Sequence, residues 1–156
     1  ALIPTHSRLQ TAKKDDINYK LYERYKVVKS FYENILNILQ KGETSHVIGA
    51  PRLANELFEG YLLKWHKRRI KKGIHCRYIY DYNVRDFGKI REKMKNTKVK
   101  YFPKDINSPM WIEISGDYVG IGHLKGKNTV IFAIQDKEIV KGYLDYFNLL
   151  WKTASD

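Results

Sequence analysis

The sequence predicts an α/β fold: a mixed β-sheet flanked by helices and preceded by a long N-terminal helix. Three observations carry that prediction. Between residues 43 and 103, short apolar runs alternate with stretches of helical period, the pattern of parallel βαβ units. Further apolar runs then follow one another across turn residues alone, which describes an antiparallel meander. Ahead of both, residues 15–42 keep apolar side chains at alternating steps of four and three.

Taken in order, residues 1–14 are a polar leader, and "DDINYKLYERYKVVKSFYENILNILQKG" reads as one helix with Asp15 or Asp16 at its cap and Gly42 at its stop. Leu21, Tyr25, Val28, Tyr32, Ile35 and Leu39 form a heptad seam along it. Phe31, Leu36 and Ile38 broaden the stripe, so the seam serves either a homodimer or packing onto its own domain. "SHVIGA" is a short strand. "PRLANELFEGYLLKWHKRRIKKG" follows as a helix, with Pro51 in its first turn, core positions Leu53, Leu57, Tyr61 and Trp65, and Gly73 as its stop.

"IHCRYIY" is the next strand and holds the lone cysteine, Cys76, as a core residue. "NVRDFGKIREKMK" is a helix interrupted by Gly88, before the strand "KVKYFP". "MWIEIS", "DYVGIGHL" and "TVIFAIQ" make the meander, with "GD" and "KGKN" as hairpin signals. "DKEIVKGYLDYFNLLW" closes the chain as a helix capped by Asp136, with Ile139, Tyr143, Phe147 and Trp151 facing the core. Residues 43–156 thus form one domain, as 156 residues at 43% hydrophobic content allow.

No run approaches the roughly 18 apolar residues of a membrane span, and no signal peptide opens the chain, which predicts a cytoplasmic protein with no membrane partner. The net charge is +12, and its excess is local: residues 61–104 hold 15 Lys or Arg against 3 Asp or Glu. The densest part carries Lys64, Lys67, Arg68, Arg69, Lys71 and Lys72, either a nucleic-acid contact or a solvated helix end suited to the dipole.

None of His6, His46, His66, His75 and His123 has a partner at zinc-ligand spacing, and no phosphate loop is present, so neither metal nor cofactor is expected. In a βαβ sheet a ligand site belongs at the C-terminal ends of the parallel strands. That selects Gly49, Ala50 and Arg52 at a helix N-terminus, with Asp81, Tyr82 and Asn83 across the cleft, for a small anionic effector. "GHLKGKNTV" sets His123 and Lys125 at the spacing of a His-x-Lys-x4-Asp phosphodiesterase motif, but Val130 stands where its aspartate belongs.

"RRIKKGIHCRYIYD", "KVKYFP", "PMWIEISGDYVGIG", "VIFAIQD" and "YLDYFNLLW", within residues 31–152, resemble the TrmB-like family of archaeal transcriptional regulators. The resemblance implies a regulatory domain of phospholipase D-like fold, preceded by a winged helix-turn-helix and a dimerisation helix. In phospholipase D-like enzymes the His-x-Lys pair lies on the strand before the hairpin that resembles "ISGDYVGIG". Its counterparts here are Ser108 and Met110, or Met110 and Ile112, which supply no nucleophile. The resemblance therefore implies a chain with no catalytic residue and no enzyme activity, and Met110 joins the candidate ligand residues.

No winged helix precedes residue 15, and the chain ends at Asp156 without room for the β-rich domain of sugar-sensing members. The expectation is a non-catalytic effector-sensing and dimerisation domain of a TrmB-like regulator, reaching DNA through a winged helix outside this chain. The rival readings are a divergent phosphodiesterase using His123 and Lys125, and a basic nucleic-acid-binding module.

Overall fold

The computed structural model describes residues 17–125 and 128–156, with the backbone alone at 20–25 and 27. In chain order these are β1 (Asn18–Glu23), α1 (Arg24–Ile38), β2 (Thr44–Ile48), α2 (Arg52–Lys72), β3 (His75–Tyr80), a 3-10 turn (Tyr82–Val84), α3 (Arg85–Glu92), β4 (Thr97–Tyr101), β5 (Met110–Ser115), β6 (Tyr118–Lys125), β7 (Asn128–Gln135) and α4 (Lys137–Thr153). The strands build one sheet in the order β1-β7-β6-β5-β2-β3-β4. β2, β3 and β4 run parallel, and the other pairings are antiparallel. The mixed sheet with helices on both faces is the predicted architecture.

The long N-terminal helix is not. Residues 18–23 form an edge strand in register with β7, from Asn18 opposite Gln135 to Glu23 opposite Val130, and the helix begins only at Arg24. "NYKLYE" carries two tyrosines and suits a strand, and pairing it covers the otherwise open ladder of β7. The leader and the Asp15 or Asp16 cap lie outside the described residues, as do the side chains of Leu21 and Tyr25. Val28, Ile35, Leu39 and Tyr32 are 0%, 0%, 1% and 8% exposed and join the chain's own core. Those seam positions therefore face the sheet, not a second copy.

Helices α1, α2 and α3 cover one face, over a core that includes Phe31, Phe58, Trp65, Tyr78, Tyr80 and Trp111. Helix α4 crosses the other, packing Val140 and Phe147 on Ile48, Ile79, Ile114 and Val119. Two glycines of β6 let large rings lie flat on the sheet, because a Cβ at Gly120 would collide with Phe31 and one at Gly122 with Trp111. Gly88, which weakens α3 as a sequence, is occupied in the same sense by the Tyr101 ring.

The predicted stripe of α2 holds at Trp65, which is buried, and at Tyr61, which packs against the core, but not over the first half of the helix. Leu53 and Leu57 are 47% and 48% exposed, and the sheet instead receives Ala54, Asn55, Phe58, Trp65, His66 and Arg69. Apolar residues stand on both stripes of the first half, and the bulkier Phe58 takes the inward place there. Gly73 ends the helix in a left-handed conformation (φ 80°), and the Asp136 carboxylate caps α4 by accepting from Ile139 N–H at 2.8 Å. Among the described residues no helix is long and apolar enough to cross a membrane.

Candidate functional site

The sheet presents two edges where chemistry gathers. At the first lie the C-terminal ends of β2, β3 and β4, the start of β5 and the end of β6. The predicted ligand residues do meet here, but they divide between two depressions. Gly49, Asp81 and Met110 line a cavity of about 250 Å³ whose other walls are Ile48, Phe102, Ile106, Ser108, Trp111 and Ile112. Arg52, Tyr82 and Asn83 line a separate one of about 450 Å³, with Arg85, Asp86 and Asp105.

The polar groups of this edge bind one another. Asp81 accepts the backbone N–H groups of Ile106 and Asn107 at 3.0 and 2.8 Å, clamping the loop before β5. Arg52 forms a two-pronged pair with Asp86, which holds that carboxyl below the usual carboxylate range, and also donates to the Asn83 carbonyl. Asn83 donates its side-chain amide to Asn107 at 2.6 Å, and the Ala50 carbonyl is taken by the Asn55 amide at 3.2 Å. No cation lines the smaller cavity, which is apolar apart from Asp81 and Ser108.

The positions that the resemblance assigns to a His-x-Lys pair are Ser108, Met110 and Ile112. Met110 is 42% exposed and Ile112 is half-buried, while Ser108 Oγ accepts from Met110 N–H at 3.1 Å. Yet the β5–β6 register sets His123 directly opposite Met110, and Leu124 N–H donates to the Pro109 carbonyl at 3.1 Å. His123 and Lys125 thus stand one strand over, with His123 at the height of Met110. His123 is half-buried and Lys125 exposed.

At the opposite edge the sheet begins β2, β3 and β4. The turns Leu39–Glu43, Gly73 and Lys93–Asn96 meet there through Gly42 N–H to the Gly73 carbonyl, His75 N–H to the Glu43 carbonyl and Cys76 N–H to the Asn96 carbonyl. Lys41, Lys71, Lys72, Lys93, Lys95 and Lys98 are exposed around these turns.

The predicted basic helix end divides by role. Lys64, Lys67 and Lys71 are exposed without an ion pair among the described residues; Arg68 pairs with Glu33; and Lys72 donates to the Leu36 carbonyl at 2.7 Å, tying down the end of α1. Arg69 is fully buried. It donates to His66 Nδ1 at 2.9 Å, to the carbonyls of Ile74 and Asn96 at 3.0 and 3.1 Å, and to Thr97 Oγ1. Because Nδ1 accepts, the neutral His66 ring carries its proton on Nε2, facing Tyr78 Oη at 3.2 Å. Burial holds His66 well below its ordinary value, and Arg91 and Arg69 add to that. Arg69 sits four residues after Trp65 on one helical face, the signal that it points inward.

A third feature lies in the middle of the sheet. Glu113, Ser45 and Ser115 are all but inaccessible, and Glu113 Oε1 accepts from both hydroxyls. Burial pushes the Glu113 carboxyl up to about 7.

No group of three or more metal-ligating side chains occurs among the described residues. No family model matches the chain, and no curated protein matches it by sequence. Solved structures do. NucT from Helicobacter pylori matches with a TM-score of 0.68 at 16% identity, over 90% of this chain and 99% of that one. Nuc from Salmonella typhimurium, a phospholipase D family member, matches with a TM-score of 0.57 at 10% identity, over 90% and 98%. TrmBL2, an archaeal chromatin protein whose structure is described as showing a novel mode of DNA binding, matches with a TM-score of 0.59 at 13% identity, over 99% of this chain and 59% of that one.

At these identities the likeness is one of fold, and the fold is phospholipase D-like. It corrects the expectation that the chain is no enzyme. A member of the phospholipase D family is matched over nearly its whole length, so the absence of a histidine and lysine from β5 does not exclude an enzyme.

Proposed function

We propose that this chain is a nucleic-acid-binding domain of phospholipase D-like fold, contacting phosphates through the edge where β2, β3 and β4 begin. The observation that carries this reading is the set of exposed lysines at that edge, Lys41, Lys71, Lys93, Lys95 and Lys98, none in an ion pair among the described residues. Such a surface gains affinity by releasing counterions from the phosphate backbone. TrmBL2, described as a DNA-binding chromatin protein, supports the same reading. The resemblance to TrmB-like regulators supplies its finer form: a domain that works beside a DNA-reading winged helix and adds its own phosphate contact. The test is fluorescence anisotropy with labelled duplex and single-stranded DNA across a salt series. Affinity should fall on a log–log slope of about −0.9 per phosphate contacted in the duplex, and Lys71→Glu or Lys98→Glu should lower that slope by about one. A flat titration at low salt sinks the proposal.

A second reading rests on the cross-strand pairing of His123 with Met110. In it, His123 attacks the phosphorus of a phosphodiester, the alkoxide leaves and takes a proton from solvent, and water then cleaves the P–N bond, giving its proton to solvent and restoring the imidazole; Lys125 offsets charge on the phosphoryl oxygens. It predicts metal-independent release of nitrophenol from bis(p-nitrophenyl) phosphate that is lost in His123→Ala. Equal rates in the two proteins would remove it.

A further inference from the structure

Across the first turns of the parallel strands runs a row of three basic side chains. His46 of β2 is in register with Arg77 of β3, and Arg77 with Lys98 of β4. Neighbouring strands lie about 4.8 Å apart, so Arg77 and Lys98 leave the same face of the sheet side by side. Like charges directly opposite on adjacent strands repel, and the usual remedy is a carboxylate nearby. None is in place: neither Arg77 nor Lys98 forms an ion pair among the described residues, and Arg77 rests its guanidinium on the Trp151 ring at 5.6 Å. His46 escapes the repulsion by staying neutral, its value lowered to about 4 by burial first and by Arg77 second.

Arg77 and Lys98 form part of the wall of a bay of about 440 Å³, together with His75, Asn96 and Thr97, and no carboxylate lines it. From the α2 face of the sheet, Arg69 donates to two residues of that wall, Asn96 and Thr97. Its hydrogen bonds to His66, Ile74, Asn96 and Thr97 all end on neutral acceptors, so no carboxylate pairs directly with this fully buried guanidinium. Two cations lining one concavity with no carboxylate in its wall favour an anion inside it.

We propose that this bay is a phosphate site in which Arg77 and Lys98 hold a phosphoryl group, with Arg69 bracing its Asn96 and Thr97 wall. The site deepens the nucleic-acid reading, and rests on it only for the source of the phosphate, a backbone phosphate of DNA or RNA rather than a free phosphate compound. Arginine supplies a planar fork for two phosphate oxygens and lysine a mobile point charge.

The test uses the full chain, inorganic pyrophosphate and a single-stranded oligonucleotide, each titrated calorimetrically into the parent protein, Lys98→Gln and Lys64→Gln. Lys98 is exposed, so its variant should fold, which circular dichroism checks; Lys64 on α2 removes the same charge away from the bay. Pyrophosphate should bind the parent and Lys64→Gln alike and bind Lys98→Gln about tenfold more weakly, the loss expected for one hydrogen bond to a charged group. Absence of pyrophosphate binding, or an equal loss in both variants, overturns the bay. Oligonucleotide binding without pyrophosphate binding overturns the bay and leaves the nucleic-acid reading standing. Pyrophosphate binding without oligonucleotide binding upholds the bay for a free phosphate compound and overturns that reading.

Discussion

Ser45 on β2 donates its hydroxyl hydrogen to Glu113 Oε1 on β5, across the junction where the parallel and antiparallel parts of the sheet meet. The pair makes stability depend on pH. Burial raises the Glu113 carboxyl from 4.5 to about 7, and the Ser45 and Ser115 hydroxyls only partly oppose it. The folded chain thus keeps a proton that the unfolded chain releases. The stabilisation is complete below the unfolded value and is lost as pH rises through the folded one, by about 3 kcal/mol in all. Glu113→Gln cannot titrate. The stability difference between the parent and this variant, read from urea midpoints between about pH 5 and about pH 8, should shift in favour of the variant as pH rises. A difference that stays constant with pH would mean Glu113 does not change its proton on folding. The comparison is made between variants because His46 and His66, both lowered by burial, pull parent stability the other way at acid pH.

Arg69 carries more structure than its place in a basic run suggests. Replacing it with Met takes a donor from the Ile74 carbonyl and the His66 ring in the interior, and leaves the Asn96 carbonyl with Cys76 N–H. Arg69→Met should cost about 3 kcal/mol or more by chemical denaturation. A cost under about 1 kcal/mol would show that the surrounding polar groups find water or each other.

The sheet surface under α1 is shaped by Gly120. Gly120→Ala puts a methyl group into Phe31 and should destabilise by about 1–3 kcal/mol. Phe31→Leu removes the colliding ring edge, so the double variant should lose less than the sum of the two single costs. Strict additivity in a double-mutant cycle would place the strain elsewhere.

How much of this was legible differs between the elements and the sites. The strands from "SHVIGA" to "TVIFAIQ" and the caps at Gly73 and Asp136 follow from local pattern, because period two, turn residues and capping chemistry are short-range properties. β1 does not: "NYKLYE" is compatible with the four-three spacing of the helix that follows, and only the open edge of β7 decides it. Topology selects Gly49, Ala50, Arg52, Asp81, Tyr82 and Asn83 and the resemblance adds Met110; the fold places Gly49, Asp81 and Met110 around one cavity. What topology cannot supply is occupancy, and Asp81 and Arg52 are already held by Ile106, Asn107 and Asp86. The row His46, Arg77 and Lys98 was invisible for the converse reason. Its members are scattered through the chain and become neighbours only through strand register.

Cys76 gives a readout of the whole fold. It is 1% exposed on β3, and burial pushes its thiol up to about 12. At about pH 8 the native thiolate fraction is then about one in ten thousand, and the sulfur is screened from reagent as well. Ellman's reagent should therefore leave native protein unmodified on the timescale of a free cysteine's reaction and react at once in denaturing urea. At intermediate urea the rate should track the unfolded fraction measured by circular dichroism, since only opened molecules expose the sulfur. Rapid labelling in native buffer would mean that β3 is reachable without global unfolding, contrary to its position between β2 and β4 under α2.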